Sequence, residues 1–319
     1  MPIQSYWPAH TPALHKQPLL QRDAENPVDA RRCTVQLSTG RLYLDALATP
    51  ATALLGHDLP PTPAVDPATV LRMLSSLAPG YVCVAMTQSF SAAADLAEQL
   101  GDNGSLVEIN ATAGEPAIAG RSLVALENET LGRTGRWLAS SAWKHAPDMI
   151  VVGEALALGS PFGAVLAREG VAASLDLANR ASALAYQPAS SKSLARVCAA
   201  IHAVENEGLL QQGRDVANYL MARLAAVRES GPQIESVEGA GLSIRVALAS
   251  PHTAAQIRRG MCERGVLAGV DGPRRLAINP PLPLRIAEAD VITGALRGAL
   301  LGLPLPSAPV CCAACDRES

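Results

Sequence analysis

The sequence predicts an α/β protein, with a mostly parallel sheet covered by helices on both faces and a smaller C-terminal α+β lobe. Apolar strands alternate with helical stretches from Tyr81 to Ala167, the pattern of a sheet whose crossovers lay helices on both faces. The last third reads as strand, helix and closing helix. With 319 residues and 49% apolar content, the chain is long enough for a large core in one unit or two lobes.

Each element has a local reason. Residues 1–30 are rich in proline and aperiodic, so they read as an extended lead-in. CTVQLSTGRLYLDAL reads as two short strands joined at Ser38-Thr39-Gly40. Asp66-Pro67 offers an N-cap followed by proline in the first turn, and that helix stops at Pro79-Gly80. YVCVAMT is a strand, and SAAADLAEQL is a helix ended by Gly101. SLVEIN and SLVALEN are buried strands, and the segment after Gly132 is a turn or helix, a strand, an irregular loop and a further strand. Residues 193–227 carry helical spacing, as two helices or one kinked one. PQIESVEGAGLSIRVAL alternates as a strand should, and helices follow over about 253–264 and 286–301.

Composition excludes several classes. Lysine plus arginine number 26 against 29 aspartates and glutamates, a net charge of −3, and no basic run suggests nucleic acid. No apolar stretch reaches the roughly 18 residues of a membrane helix, and the broken N-terminus does not resemble a signal peptide. The expectation is a cytoplasmic protein. Cys33, Cys83, Cys198 and Cys262 are scattered, which suits reduced thiols. Cys311, Cys312 and Cys315 share the tail but lack a nearby fourth zinc ligand, so a tail with oxidisable thiols is expected. The six histidines form no HExxH pair, and no metal is expected. Aromatic residues are 3% of the chain, leaving few rings to stack on a flat cofactor.

Several separated segments resemble one family. RLYLDAL, LLGHDLP, GRTG, PDMIVVGEALALGSPFGAV, GAGLSIRVAL, ERGVL and NPPLPL stand in the order, and close to the wording, of motifs in class III aminotransferases. These are fold-type I enzymes that depend on pyridoxal phosphate, and the resemblance covers most of residues 32–303. It implies a three-layer aminotransferase-like fold with a reduced large domain over 31–190, opened by the hairpin. A small C-terminal domain would follow over 191–305 and a Cys-containing tail over 306–319, behind the arm of 1–30.

The resemblance also implies where functional groups belong. Glu154 stands where the motif carries the lysine that forms the Schiff base, and a carboxylate cannot make that imine. The phosphate-binding helix start corresponds to MTQSFSAAA, so Thr87, Gln88, Ser89 and Ser91 are the vestigial cofactor-binding candidates, with Gln88 in place of a glycine. The aspartate that holds the pyridine nitrogen corresponds to Ala125 or Leu126. Glu127 and Glu129 are near, but one residue off register on a strand points to the other face. The block that carries a stacking ring is absent between Ser91 and Ala125. Ala277 takes the place of a carboxylate-binding arginine, with Arg274 and Arg275 displaced beside it. Lys16, Lys144 and Lys192 are the remaining lysines. Lys192, in PASSKSLA, matches a loop that reaches a partner's phosphate, and it is either a surface lysine or a replacement cation.

These losses together imply a pseudoenzyme for transamination, with no cofactor expected, or pyridoxal phosphate held weakly and without a covalent bond. The expected partner is a second copy, or an active aminotransferase-like subunit that this chain completes or stabilises. The first alternative is an enzyme that reuses the pocket without an internal imine, with Glu154 as acid or base. The second is a genuine aminotransferase of small amino acids or amines.

Overall fold

The computed structural model describes residues 27–37, 40–47, 53–102, 104–109, 122–175, 187–249 and 253–302. Most of the arm, Lys16, and the tail with its three cysteines lie outside the described residues. The chain divides into two compact units. One gathers the described parts of Met1–Pro50, Leu55–Asp58 and Gln211–Ser319; the other holds Ala51–Leu54 and Leu59–Leu210. This partition departs from the expected boundary at 190/191.

The physical reason is strand pairing. β1 (Pro27–Arg31), β2 (Thr34–Leu37) and β3 (Leu42–Asp45) form an antiparallel run, and β11 (Val266–Leu267) joins it in parallel, with Val266 opposite Leu44. The N-terminal strands therefore belong with the C-terminal part of the chain. Residues 27–30, expected within an extended arm, form a strand with Arg31 because β2 offers them a partner. Two motifs meet here: the buried Asp45 carboxylate contacts the His57 ring at 3.1 Å and accepts the Leu47 N–H at 2.9 Å.

The second unit carries the larger sheet. Its strands are β4 (Tyr81–Thr87), β5 (Ser105–Glu108), β6 (Leu123–Glu127), β7 (Met149–Val152) and β8 (Gly163–Arg168), in the order β4-β8-β7-β6-β5. Only β8 runs against the other four. Three helices of this unit are α1 (Pro67–Ser76), α2 (Phe90–Leu100) and α3 (Ser191–Asn206). Alternate strand residues face opposite ways. Ala125, Ile150, Val152, Ala164 and Leu166 pack with Val70 and Leu74 of α1 and Val197 and Ile201 of α3. Val124, Met149, Val151, Val165 and Ala167 pack with Ala93, Leu96, Ala97 and Leu100 of α2. This is the expected three-layer arrangement. The Asp66 carboxylate caps α1 by accepting the Ala68 and Thr69 N–H groups.

The first unit adds an antiparallel sheet of β12 (Gly269–Val270), β13 (Arg275–Ile278), β10 (Ser243–Leu248) and β9 (Ile234–Ala240), in that order. The segment read as one alternating strand is thus a hairpin. It turns at Gly241, whose φ of 60° suits glycine. The helical stretch over 193–227 is two helices, α3 and α4 (Leu209–Glu229), separated at Gly208 with φ 63°. Helices α5 (Ala254–Glu263, with a Thr253/Gln256 capping box) and α6 (Ile286–Leu300) follow as expected.

Candidate functional site

The carboxyl ends of β4, β6 and β7 carry the groups singled out in the sequence, where open α/β sheets place their ligands. At the end of β4, Thr87 is fully buried and its hydroxyl donates to the Ser89 carbonyl at 2.8 Å. Ser89 is the N-cap of α2, and its Oγ accepts the Ala92 N–H at 3.1 Å and lies 3.1 Å from the Ser91 hydroxyl. The close approach here needs glycine: a Cβ on Gly163 would stand 2.3 Å from the Ser89 carbonyl oxygen. The structure brings Thr87, Ser89 and Ser91 together at one helix start.

Gln88 does not share that role. Its side chain is exposed, and its N–H donates to the Gln187 carbonyl at 3.0 Å. With the Ala189 N–H donating to Met86 at 3.2 Å, this contact lays the lead-in to α3 along the end of β4. Lys192 lies exposed in the first turn of α3, which the Ser190 hydroxyl caps. Further along α3, Arg196 donates to the Ser160 hydroxyl at 2.6 Å and the Ser193 hydroxyl to the Pro161 carbonyl at 2.8 Å.

Glu154 follows β7 by two residues. Gly153 brings it in: a Cβ there would meet the Phe90 ring at 2.6 Å and Asn128 Oδ1 at 2.8 Å. From this tight turn Glu154 Oε1 accepts the Phe90 N–H, the first of α2, at 3.1 Å. The carboxylate thus sits at the positive end of the α2 dipole. The loop behind it is fixed by the Ala155 N–H on Asn128 Oδ1 at 3.2 Å and the Gly159 N–H on the Glu154 carbonyl at 2.8 Å.

Glu127 corrects a reading of the strand. It lies two residues from Ala125, so both face the same side of the sheet. It is completely buried and accepts from Ala139 N–H at 2.5 Å, from Ser140 N–H at 2.9 Å and from the Ser140 hydroxyl. Burial raises its carboxyl above the usual range, against the pull of these donors. Nothing near Glu127 in the sequence marks this, because the short 3₁₀ segment Ala139–Ala142 that supplies the donors lies twelve residues on. Glu129 contributes its carbonyl, which accepts from the buried Arg133 guanidinium at 2.8 Å.

In the first unit, Ala277 is buried on β13 and its register partner on β10 is Arg245. Arg274 and Arg275 do not take its place: the Arg274 carbonyl accepts from Leu248 N–H, and the Arg275 side chain is half-exposed beside Asp271. Arg245 is buried, with Nε on Asp271 at 3.0 Å and Nη1 on Asn279 Oδ1 at 2.9 Å. A lone arginine inside the apolar strand SIRVAL was the signal that could have found it.

Other chemistry is sparse. Cys33 and Cys83 are free thiols, raised by burial, Cys83 to about 12. Among the described residues no group of three or more histidines, cysteines or acids could hold a metal. No described helix is long and apolar enough to cross a membrane.

A three-layer unit with a helix start, a glycine-tight strand turn and a loop motif at its strand ends defines a fold-type I architecture. The family description "Aminotransferase class-III" matches residues 124–300, more than half of the chain, and the chain belongs to that family. Acetylornithine aminotransferase of Archaeoglobus fulgidus is 31% identical over 159 residues, 50% of this chain and 39% of that protein. Alanine/serine racemase of Pyrococcus horikoshii is 30% identical over 184 residues, 54% of this chain and 38% of that protein. The chain thus spans about two fifths of the curated relatives it matches. A transaminase from the marine bacterium Virgibacillus superposes with a TM-score of 0.73 at 15% identity, over 89% of this chain and 95% of that one, a likeness of fold.

Membership overturns the expectation that no cofactor belongs to this chain: the family's enzymes depend on pyridoxal phosphate, and that is the cofactor to associate with it. The residues in the site do not fit its usual covalent attachment. Glu154 has no amine to offer, and its carboxylate already holds the Phe90 N–H.

Proposed function

We propose that this chain is a class III aminotransferase-family subunit that does not itself carry out transamination and serves as a partner in a cytoplasmic dimer. The dimer would be formed with a second copy or with an active aminotransferase-like subunit whose own lysine anchors pyridoxal phosphate. One observation supports the reading: the Glu154 carboxylate is held on the Phe90 N–H at the start of α2, at the position where the resemblance to the family's motif leads one to expect an amine. The relatives' names support amino-group chemistry in the family, on acetylornithine in several and as racemisation of alanine and serine in another. A genuine aminotransferase of small amino acids or amines is the alternative those names favour.

A second reading has its own observation. Glu154 is partly exposed, and its one hydrogen bond to a described residue engages Oε1, which supports a role as acid or base toward a bound molecule. The test is co-expression with a lysine-bearing class III aminotransferase. The partner reading expects stable co-purification and an activity unchanged by Glu154→Gln. Amino transfer by the purified chain alone would sink it, and loss of an activity in Glu154→Gln with unchanged folding would move the assignment to the acid/base reading.

A further inference from the structure

The contact of Glu154 with α2 has a consequence separate from any partner. The first turn of a helix presents unpaired N–H groups and a positive dipole end, which together favour an anion. At α2 these donors are unequally supplied. Phe90 N–H is held by Glu154 Oε1 at 3.1 Å, and Ala92 N–H by Ser89 Oγ at 3.1 Å. Ser91 N–H has no acceptor among the described residues, and Ser91 is exposed. The anion at this helix start comes from a residue 64 positions away, delivered by a turn that only Gly153 allows against Phe90 and Asn128. The lead-in to α3, whose first turn carries Lys192, is tied to the end of β4 through Gln187 and Ala189. A carboxylate here is a ligand already seated, supplied by the chain itself.

We propose that Glu154 is an internal anion at the start of α2, so that a phosphate-bearing molecule, pyridoxal phosphate included, binds there only by displacing the carboxylate. Two anions cannot share these donors, because each would sit within a few ångströms of the other in a partly desolvated place. Gln at 154 keeps the size and one acceptor and removes the charge. Ala removes both.

The experiment compares the full chain with Glu154→Gln and Glu154→Ala. Pyridoxal phosphate is titrated by absorbance and protein fluorescence. Inorganic phosphate is followed by thermal unfolding, against chloride at equal ionic strength. Both variants are expected to bind pyridoxal phosphate about tenfold more tightly than the unsubstituted chain, the scale of one favourable charge at a helix end. Inorganic phosphate should compete in the variants, and Ser89→Ala placed in the Glu154→Gln background should weaken binding again. Equal affinity in all three proteins overturns the proposal, and so does binding in none. Circular dichroism confirms the fold of each variant, and Glu154→Gln, which retains an acceptor for Phe90, stands if Glu154→Ala fails to fold. Co-purification with a partner does not enter these readouts, so the subunit reading can fail while this inference holds, and the reverse.

Discussion

Two glutamates end neighbouring strands and do different things. Glu127 closes β6, directly opposite Val152 of β7, and Glu154 follows that residue by two positions. Glu127 is sealed, with both oxygens engaged by Ala139 and Ser140. Glu154 is half open and spends one oxygen on one N–H. The first is a cap that holds the segment after Gly132 against the sheet. The second fixes the start of α2 through a single N–H. A strand-end acid is therefore defined by what the following loop offers it: β6 is followed by a turn that folds back over its carboxylate, whereas β7 is followed by a loop that turns away at Leu158 and Gly159, both with positive φ.

The largest effect should come from the sealed residue. Glu127→Ala leaves the Ala139 and Ser140 donors buried without acceptors, and a loss of about 3 kcal/mol is expected in denaturant unfolding. A loss under about 1 kcal/mol would break the contrast with Glu154. The same residue predicts a pH dependence. Since burial raises its folded value, its contribution to stability is complete below the unfolded carboxylate value, about 4.3, and is lost as pH rises through the raised folded value. The stability of the unsubstituted chain relative to Glu127→Gln should therefore decline across that window, and a flat difference would count against the assigned shift.

Next in size is Gly163→Ala. The new Cβ would meet the Ser89 carbonyl oxygen at 2.3 Å and the Ala93 side chain at 2.7 Å. The first of these is backbone, so β8 or the start of α2 must move, at about 2 kcal/mol. Because that movement also shifts Phe90 away from Glu154, the variant should raise the amide exchange of Phe90 and Ala92. Unchanged exchange there would separate the position of α2 from the contact with Glu154.

How much of this was legible follows the range of the interactions. The cap at Asp66, the helix stop at Gly101 and the capping box at Thr253 depend on neighbours within four residues, and their elements lie where the local chemistry placed them. The hairpin over 234–248 was hidden because a period-two pattern runs on through a tight turn without changing phase. The strand Pro27–Arg31 was hidden because its pairing with β2, not its proline-led sequence, makes it a strand. At the site, Glu154 and the serines at α2 could be singled out from a motif. The role of Glu127 depends on a turn twelve residues away, and that of Arg245 on a register partner and on Asp271 and Asn279. The partners in such long-range pairing leave no local trace, although the lone arginine within SIRVAL marks its own position.

The smallest effect tests whether Glu154 and Ser89 serve one helix end. Each accepts a different N–H of the first turn of α2, and loss of either acceptor alone should cost about 1 kcal/mol. If the two act on the same turn, removing one lets that turn fray, and the other then has less structure left to support. Glu154→Ala combined with Ser89→Ala should therefore cost less than the sum of the single losses, by about 0.5 kcal/mol in a double-mutant cycle. Strict additivity would mean that the two acceptors work independently, and that the carboxylate is coupled to the end of β7 more than to the helix it touches. A coupling confined to conditions of low salt would instead assign it to the helix dipole, since that contribution is screened while a hydrogen-bonded geometry is retained.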